Sequence, residues 1–147
     1  MNDCIEYLVN LAFTRGISAI LTKELSPDTP SCANAKRRMV VINMNWNCQE
    51  EIPFTIAHEI AHILNKDNGV RYYSSNTVRT KTEAAANQTA MDLLLDYCNA
   101  YDIPVSNSVA FCEQFGIPTE LEYIACLKIK RILTSDSAGY LYGYVQT

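Results

Sequence analysis

Histidine is nearly missing from this sequence, with two residues in 147. Glycine and proline are also scarce, at five each, which excludes a collagen-like repeat or a Pro/Gly-rich linker protein. No heptad pattern persists, so a coiled coil is excluded. No apolar run approaches the length of a membrane-spanning helix. No Cys-x-x-Cys pair occurs among the cysteines at 4, 32, 48, 98, 112 and 126, so a structural cysteine–zinc site has no support. The opening Met1-Asn2-Asp3-Cys4-Ile5-Glu6 lacks the basic start and apolar core of a secretory signal. The expected compartment is therefore the cytoplasm, where thiols stay free and most of these cysteines act as small buried apolar residues. An excess of positive charge is missing too: the net charge is −4. Phosphate binding needs a basic face, so direct nucleic-acid binding is not expected; without a spanning run, no membrane partner is expected either.

What is present is an ordinary globular composition, 48% hydrophobic and 19% charged. It fits one domain with a core over residues 1–100 and a C-terminal helical element over 101–147. Ile5, Leu8, Val9, Ala12 and Phe13 fall at helical spacing and predict a first helix over 3–14, ended by Gly16. Ile17–Leu21 and Met39–Asn43 read as short strands that pair, with a loop over 26–31 between them. Lys36-Arg37-Arg38 reads as a solvated hairpin edge. A second helix is expected from about 50 to 66, stopped by Asn68-Gly69, and a third from about 80 to 99. Two more helices, 106–115 and 119–133, flank Gly116-Ile117-Pro118, with Thr119 and Glu122 as a capping box.

The informative stretch is Phe54-Thr55-Ile56-Ala57-His58-Glu59-Ile60-Ala61-His62, which contains H-E-x-x-H. On a helix the two imidazoles project from one face, about 40° apart, and together can ligate one zinc ion. Glu59 lies about 100° round from His58, within reach of a water beside such an ion, where a carboxylate acts as general base. Ile56, Ile60, Ile63 and Leu64 cluster on the opposite side, so one face is built for the core and the other for a polar site. Both histidines of the chain belong to the motif. The competing reading is two surface histidines on an ordinary amphipathic helix.

Zinc hydrolases of this type use three protein ligands. No third histidine exists, so the remaining ligand must be Asp, Glu or Cys. Glu83 is the candidate, with Asp92 and Asp96 as alternatives that look solvated. On a helix Glu83, Asn87, Ala90 and Leu94 share a face, and the alanines at 84, 85, 86 and 90 allow close approach to the His helix. Asn87 is placed to accept a hydrogen bond from the outward N–H of a ligand histidine. Tyr72 or Tyr73, in the loop after the His helix, is the candidate donor to a developing oxyanion; packing is the alternative role.

The pattern F-T-x-A-H-E-x-A-H, followed by E-x-x-A-N-x-x-A-x-x-L-L, resembles the ImmA/IrrE family of minimal zinc metallopeptidases. The likeness covers about residues 35–96. It extends loosely to Phe115-Gly116-Ile117-Pro118, which is similar to the family's C-terminal helix–turn–helix element. Thr89 stands where an aromatic is usual, and Asp96 where a proline often follows the Leu pair. The resemblance implies an α+β fold, a mainly helical minimal zincin. About three short strands would pack beside the HExxH helix, with a C-terminal helical element. It implies one Zn²⁺ ion on His58, His62 and Glu83, a gluzincin-like set, with Glu59 as base. It also implies a phage or mobile-element protein in a bacterial host cell that cleaves or inactivates a helix-turn-helix repressor. A non-catalytic anti-repressor with the same site is the alternative. Peptide deformylase shares H-E-x-x-H but needs a Gly-Cys-Leu context that Trp46-Asn47-Cys48-Gln49 does not supply. A DNA-binding role for 106–133 is disfavoured by the carboxylates of Thr119-Glu120-Leu121-Glu122 at the helix start. Lys128, Lys130 and Arg131 read as a solvated face.

Overall fold

Apolar periodicity places a helix first, and a computed structural model of the chain, which describes residues 2–67 and 76–135, begins with α1 (Asn2–Thr14). The buried stripe is Cys4, Leu8 and Ala12, while Phe13 is 81% exposed. Phe13 therefore leaves the face the spacing assigned to it. Gly16, at φ +70°, ends the helix as expected.

Three strands follow: β1 (Ser18–Thr22), β2 (Cys32–Asn34) and β3 (Met39–Asn43). β3 is central, paired in parallel with β1 and antiparallel with β2, so β1 and β2 are both edges. The two strands read from the sequence do pair, Ile20 opposite Val41. β2 has no β-branched residue to mark it in the sequence. Val40 and Ile42 are fully buried. The loop before β2 is pinned by Asn43, itself buried. Its Nδ2 donates to the carbonyls of Ser26 and Thr29, both at 2.8 Å.

Arg38 is more than a solvated hairpin edge. It adopts φ +50°, and its guanidinium bonds Asp67 and the carbonyls of Arg15 and Gly16. The β2–β3 turn is thereby fixed against the end of the next helix. That helix, α2 (Ile52–Asp67), is preceded by a 3₁₀ turn at Gln49–Glu51. Ile56, Ile60 and Ile63 are fully buried and Leu64 nearly so, which is the division of faces expected from the motif. The stop signal Asn68-Gly69 lies outside the described residues.

α3 (Asn76–Ala100) packs along α2. Of the four alanines expected at this contact, Ala86 and Ala90 are fully buried, whereas Ala84 is exposed and Ala85 half-buried. Thr89, where the family usually has an aromatic, donates to Oδ1 of buried Asn65 at 2.7 Å, a polar link between the two helices.

α4 (Ser108–Phe115) and α5 (Glu122–Ser135) form the C-terminal element, with a 3₁₀ turn at Thr119–Leu121 between them. The expected capping box is not made, because Glu122 accepts from Ser108 of α4 instead. Lys128 is not solvated either; it pairs with Asp92 of α3 at 2.8 Å. Phe115 is fully buried and meets Tyr97 edge-on, which joins this element to the core. The fold is thus α+β and mainly helical, with a small mixed sheet. All six cysteines are free: Cys4, Cys98 and Cys112 are buried, Cys48 and Cys126 half-buried, and Cys32 exposed. Among the described residues no helix is long and apolar enough to cross a membrane.

Gly116 ends α4 at φ +71°, and a Cβ there would stand 1.8 Å from the Glu50 carbonyl oxygen. The C-terminal turn therefore seats on the 3₁₀ turn before α2 with no room for a side chain. Gly116→Ala is expected to cost about 2–4 kcal/mol, from the left-handed backbone and the displaced seat. Urea denaturation measures it; a loss under about 1 kcal/mol would mean the seat yields freely.

Candidate metal centre

His58 and His62 leave the same face of α2, and their ring centroids lie 4.7 Å apart with the planes at 89°. Phe54, one turn earlier, packs on His58 with centroids 5.9 Å apart. The side chains are largely covered, with 14% of His58 and 12% of His62 exposed. Glu83 comes from α3. Its Oε1 lies 3.0 Å from His58 Nε2 and its Oε2 3.0 Å from His62 Nε2, and the two Nε2 atoms are 3.1 Å apart.

Two imidazole nitrogens and a carboxylate at that spacing form a set a divalent cation fits. A tetrahedral ion with bonds near 2.0 Å needs donors roughly 3.3 Å apart. The donor atoms of His58, His62 and Glu83 all lie within 4.8 Å of one another, the group among the described residues able to hold a metal ion. Burial holds the His62 imidazole below its ordinary range, against the pull of Glu83. The ring is therefore neutral near pH 7, the form that ligates a metal. The alternative carboxylates stand elsewhere: Asp92 pairs with Lys128, and Asp96 is exposed on another part of α3.

Glu59 stands beside the three donors without belonging to their group. Burial, and then the negative charge of Glu83, push its carboxyl up to about 8. It lies where three hollows meet. The largest, about 760 Å³, runs between β2 and the α2–α3 pair and includes Glu59, His62 and Glu83. A second, about 190 Å³, lies on the His58 side against Gly116 and Pro118. A third, also about 190 Å³, opens between Ser31, Asn43 and Thr55. The C-terminal turn thus walls one side of the site, a role that no local pattern around Gly116 announces.

Asn87 lines the hollow beside His58, but it makes no bond to that ring, since His58 Nδ1 is buried without a partner. The spacing put Asn87 beside the site, and the expected bond to a ligand histidine is not made at His58. Tyr72 and Tyr73 lie outside the described residues.

Residues 17–108 match the family profile described as the IrrE N-terminal-like domain, a peptidase family. The match takes in the sheet, α2 and α3, and so every donor of the centre. No curated protein and no solved structure matches the chain.

Proposed function

Since the chain belongs to the IrrE N-terminal-like peptidase family, we propose that it is a zinc-dependent metallopeptidase that cleaves a helix-turn-helix transcriptional repressor. The observation that carries the hydrolytic reading is the convergence of His58, His62 and Glu83 beside a half-buried Glu59 that stands outside their donor group. The two rings and the Glu83 carboxylate would hold the ion. When bound, a divalent ion supplies Lewis acidity toward a scissile carbonyl and toward water. Glu59 removes the proton from the attacking water and returns it to the leaving nitrogen. β2, an edge strand, forms a wall of the large cleft. Its outward backbone groups suit an extended peptide, which adds to a sheet edge through main-chain hydrogen bonds.

The repressor target and the bacterial cytoplasm as the place of action rest on the sequence pattern F-T-x-A-H-E-x-A-H with E-x-x-A-N. The test is to mix the purified, zinc-loaded protein with the repressor encoded beside its gene and to record intact masses. Two fragments whose masses sum to the repressor plus one water are expected, and a chelator should prevent their appearance. An unbroken repressor held in a stable complex would instead identify a protein that inactivates its target by binding.

A further inference from the structure

The large cleft carries two lysines that the hydrolytic chemistry does not use. Lys66 is one turn beyond His62 on the same face of α2, and Lys36 lies in the turn between β2 and β3. Both line the cleft together with His62, Glu59 and Glu83. The fold ties together the two stretches that carry them. Arg38, two residues after Lys36, is locked to Asp67, the neighbour of Lys66, at 2.7 Å. Asn34 accepts from the Arg37 backbone N–H at 3.0 Å and fixes the same turn. Asp67 is thereby occupied, and neither lysine forms an ion pair among the described residues.

The charges of the cleft therefore fall into two sets. Its carboxylates among the described lining residues are Glu59 and Glu83, both at the centre. An ion held there would offset their negative charge. The two lysines are the other charged residues of the described lining, and both are positive, on a chain whose net charge is −4. A cleft lined by one sign of charge favours ligands of the other sign, in both encounter and docking.

We infer that Lys36 and Lys66 determine specificity, selecting peptide segments that carry an Asp or Glu side chain on the side of the scissile bond lying along β2. The inference rests on the peptidase reading for the identity of the ligand as a peptide. The competing role for Lys66 is to complement the negative end of the α2 dipole, which would affect stability and not selectivity.

Two measurements decide it. In the first, the zinc-loaded protein digests a mixed peptide library, and mass spectrometry maps the cleaved bonds. Asp and Glu are expected to be enriched at a fixed distance on one side of the bond. The enrichment should vanish in Lys36→Gln/Lys66→Gln and turn toward Lys and Arg in Lys36→Glu/Lys66→Glu. No enrichment in the wild type, or the same enrichment in the Gln pair, overturns the inference.

The second measurement does not need turnover. Zinc-loaded Glu59→Gln protein is titrated with dye-labelled decapeptides identical except for two central Asp, Asn or Lys residues. The Asp peptide is expected to bind about fivefold to tenfold tighter than the Asn peptide at low salt. That ratio should collapse when both lysines are Gln and shrink as salt is raised. Equal binding of the three peptides overturns the inference even if peptides are cleaved. Intact discrimination with no cleavage of any peptide by the wild type would instead sink the hydrolytic reading and leave the charge selection standing.

Discussion

Glu59→Gln is expected to lower proteolysis by about 10²–10⁴-fold, the usual contribution of a positioned general base, while the protein still binds one metal ion. Gln has the shape of Glu but cannot take up a proton. Glu59 is outside the donor group of His58, His62 and Glu83, so the ligand set is intact in the variant. Fragment yield by mass spectrometry against metal content by elemental analysis separates the two effects. Proteolysis at the wild-type rate would remove Glu59 from the chemistry.

The same substitution has a pH signature. The Glu59 carboxyl rises from its ordinary value of 4.5 to about 8, chiefly through burial. Without a metal, the unfolded chain ionises this group near its ordinary value while the folded chain keeps it protonated. Its stabilising contribution is complete at acid pH and is lost as pH rises toward about 8. Glu59→Gln should flatten that part of the stability profile. A cation beside the carboxyl favours its charged form, so metal binding near pH 7 should release close to one proton from Glu59. Calorimetry in two buffers of different protonation enthalpy reads the release. The wild type should exceed Glu59→Gln by about one proton, and equal release would contradict a Glu59 carboxyl that is protonated before the metal binds.

The sequence announced this site more clearly than the walls around it, for a physical reason. A helix imposes a fixed angular period, so His58, His62 and the apolar Ile56–Ile60–Ile63 face were readable from spacing alone. Glu83 needed one further step, a second helix with small residues, and Ala86 and Ala90 are in fact fully buried. Contacts between segments distant in sequence had no such period. Arg38 reads as surface charge until the end of α2 arrives beside it. Gly116 reads as a helix stop, and only the folded chain shows the Glu50 carbonyl against it. β2 is three residues long and takes its strand conformation from pairing with β3, not from propensity. Phe13 erred the other way: periodicity assigned it to a buried face, but α1 turns Cys4, Leu8 and Ala12 inward.

Glu83→Ala should abolish tight metal binding with little damage to the fold. The two histidines are four residues apart on one helix, so their geometry survives whatever happens on α3. What they lose is the one anionic donor, which lies 3.0 Å from each ring. Changes to groups that merely orient a ligand cost about 10–100-fold in affinity; removing the ligand itself should cost more than about 100-fold by the same scale. The fold should hold because the Glu83 side chain is 51% exposed and its ion pairs among the described residues are with these two rings. Thermal denaturation with and without zinc distinguishes the outcomes. At free zinc about 100 times the dissociation constant, the wild type gains about 2.7 kcal/mol; the variant at the same zinc should gain almost nothing, while the zinc-free proteins melt alike. Undiminished stabilisation of Glu83→Ala by zinc would place the third ligand elsewhere, and the hydrolytic reading would then lose the convergence that supports it.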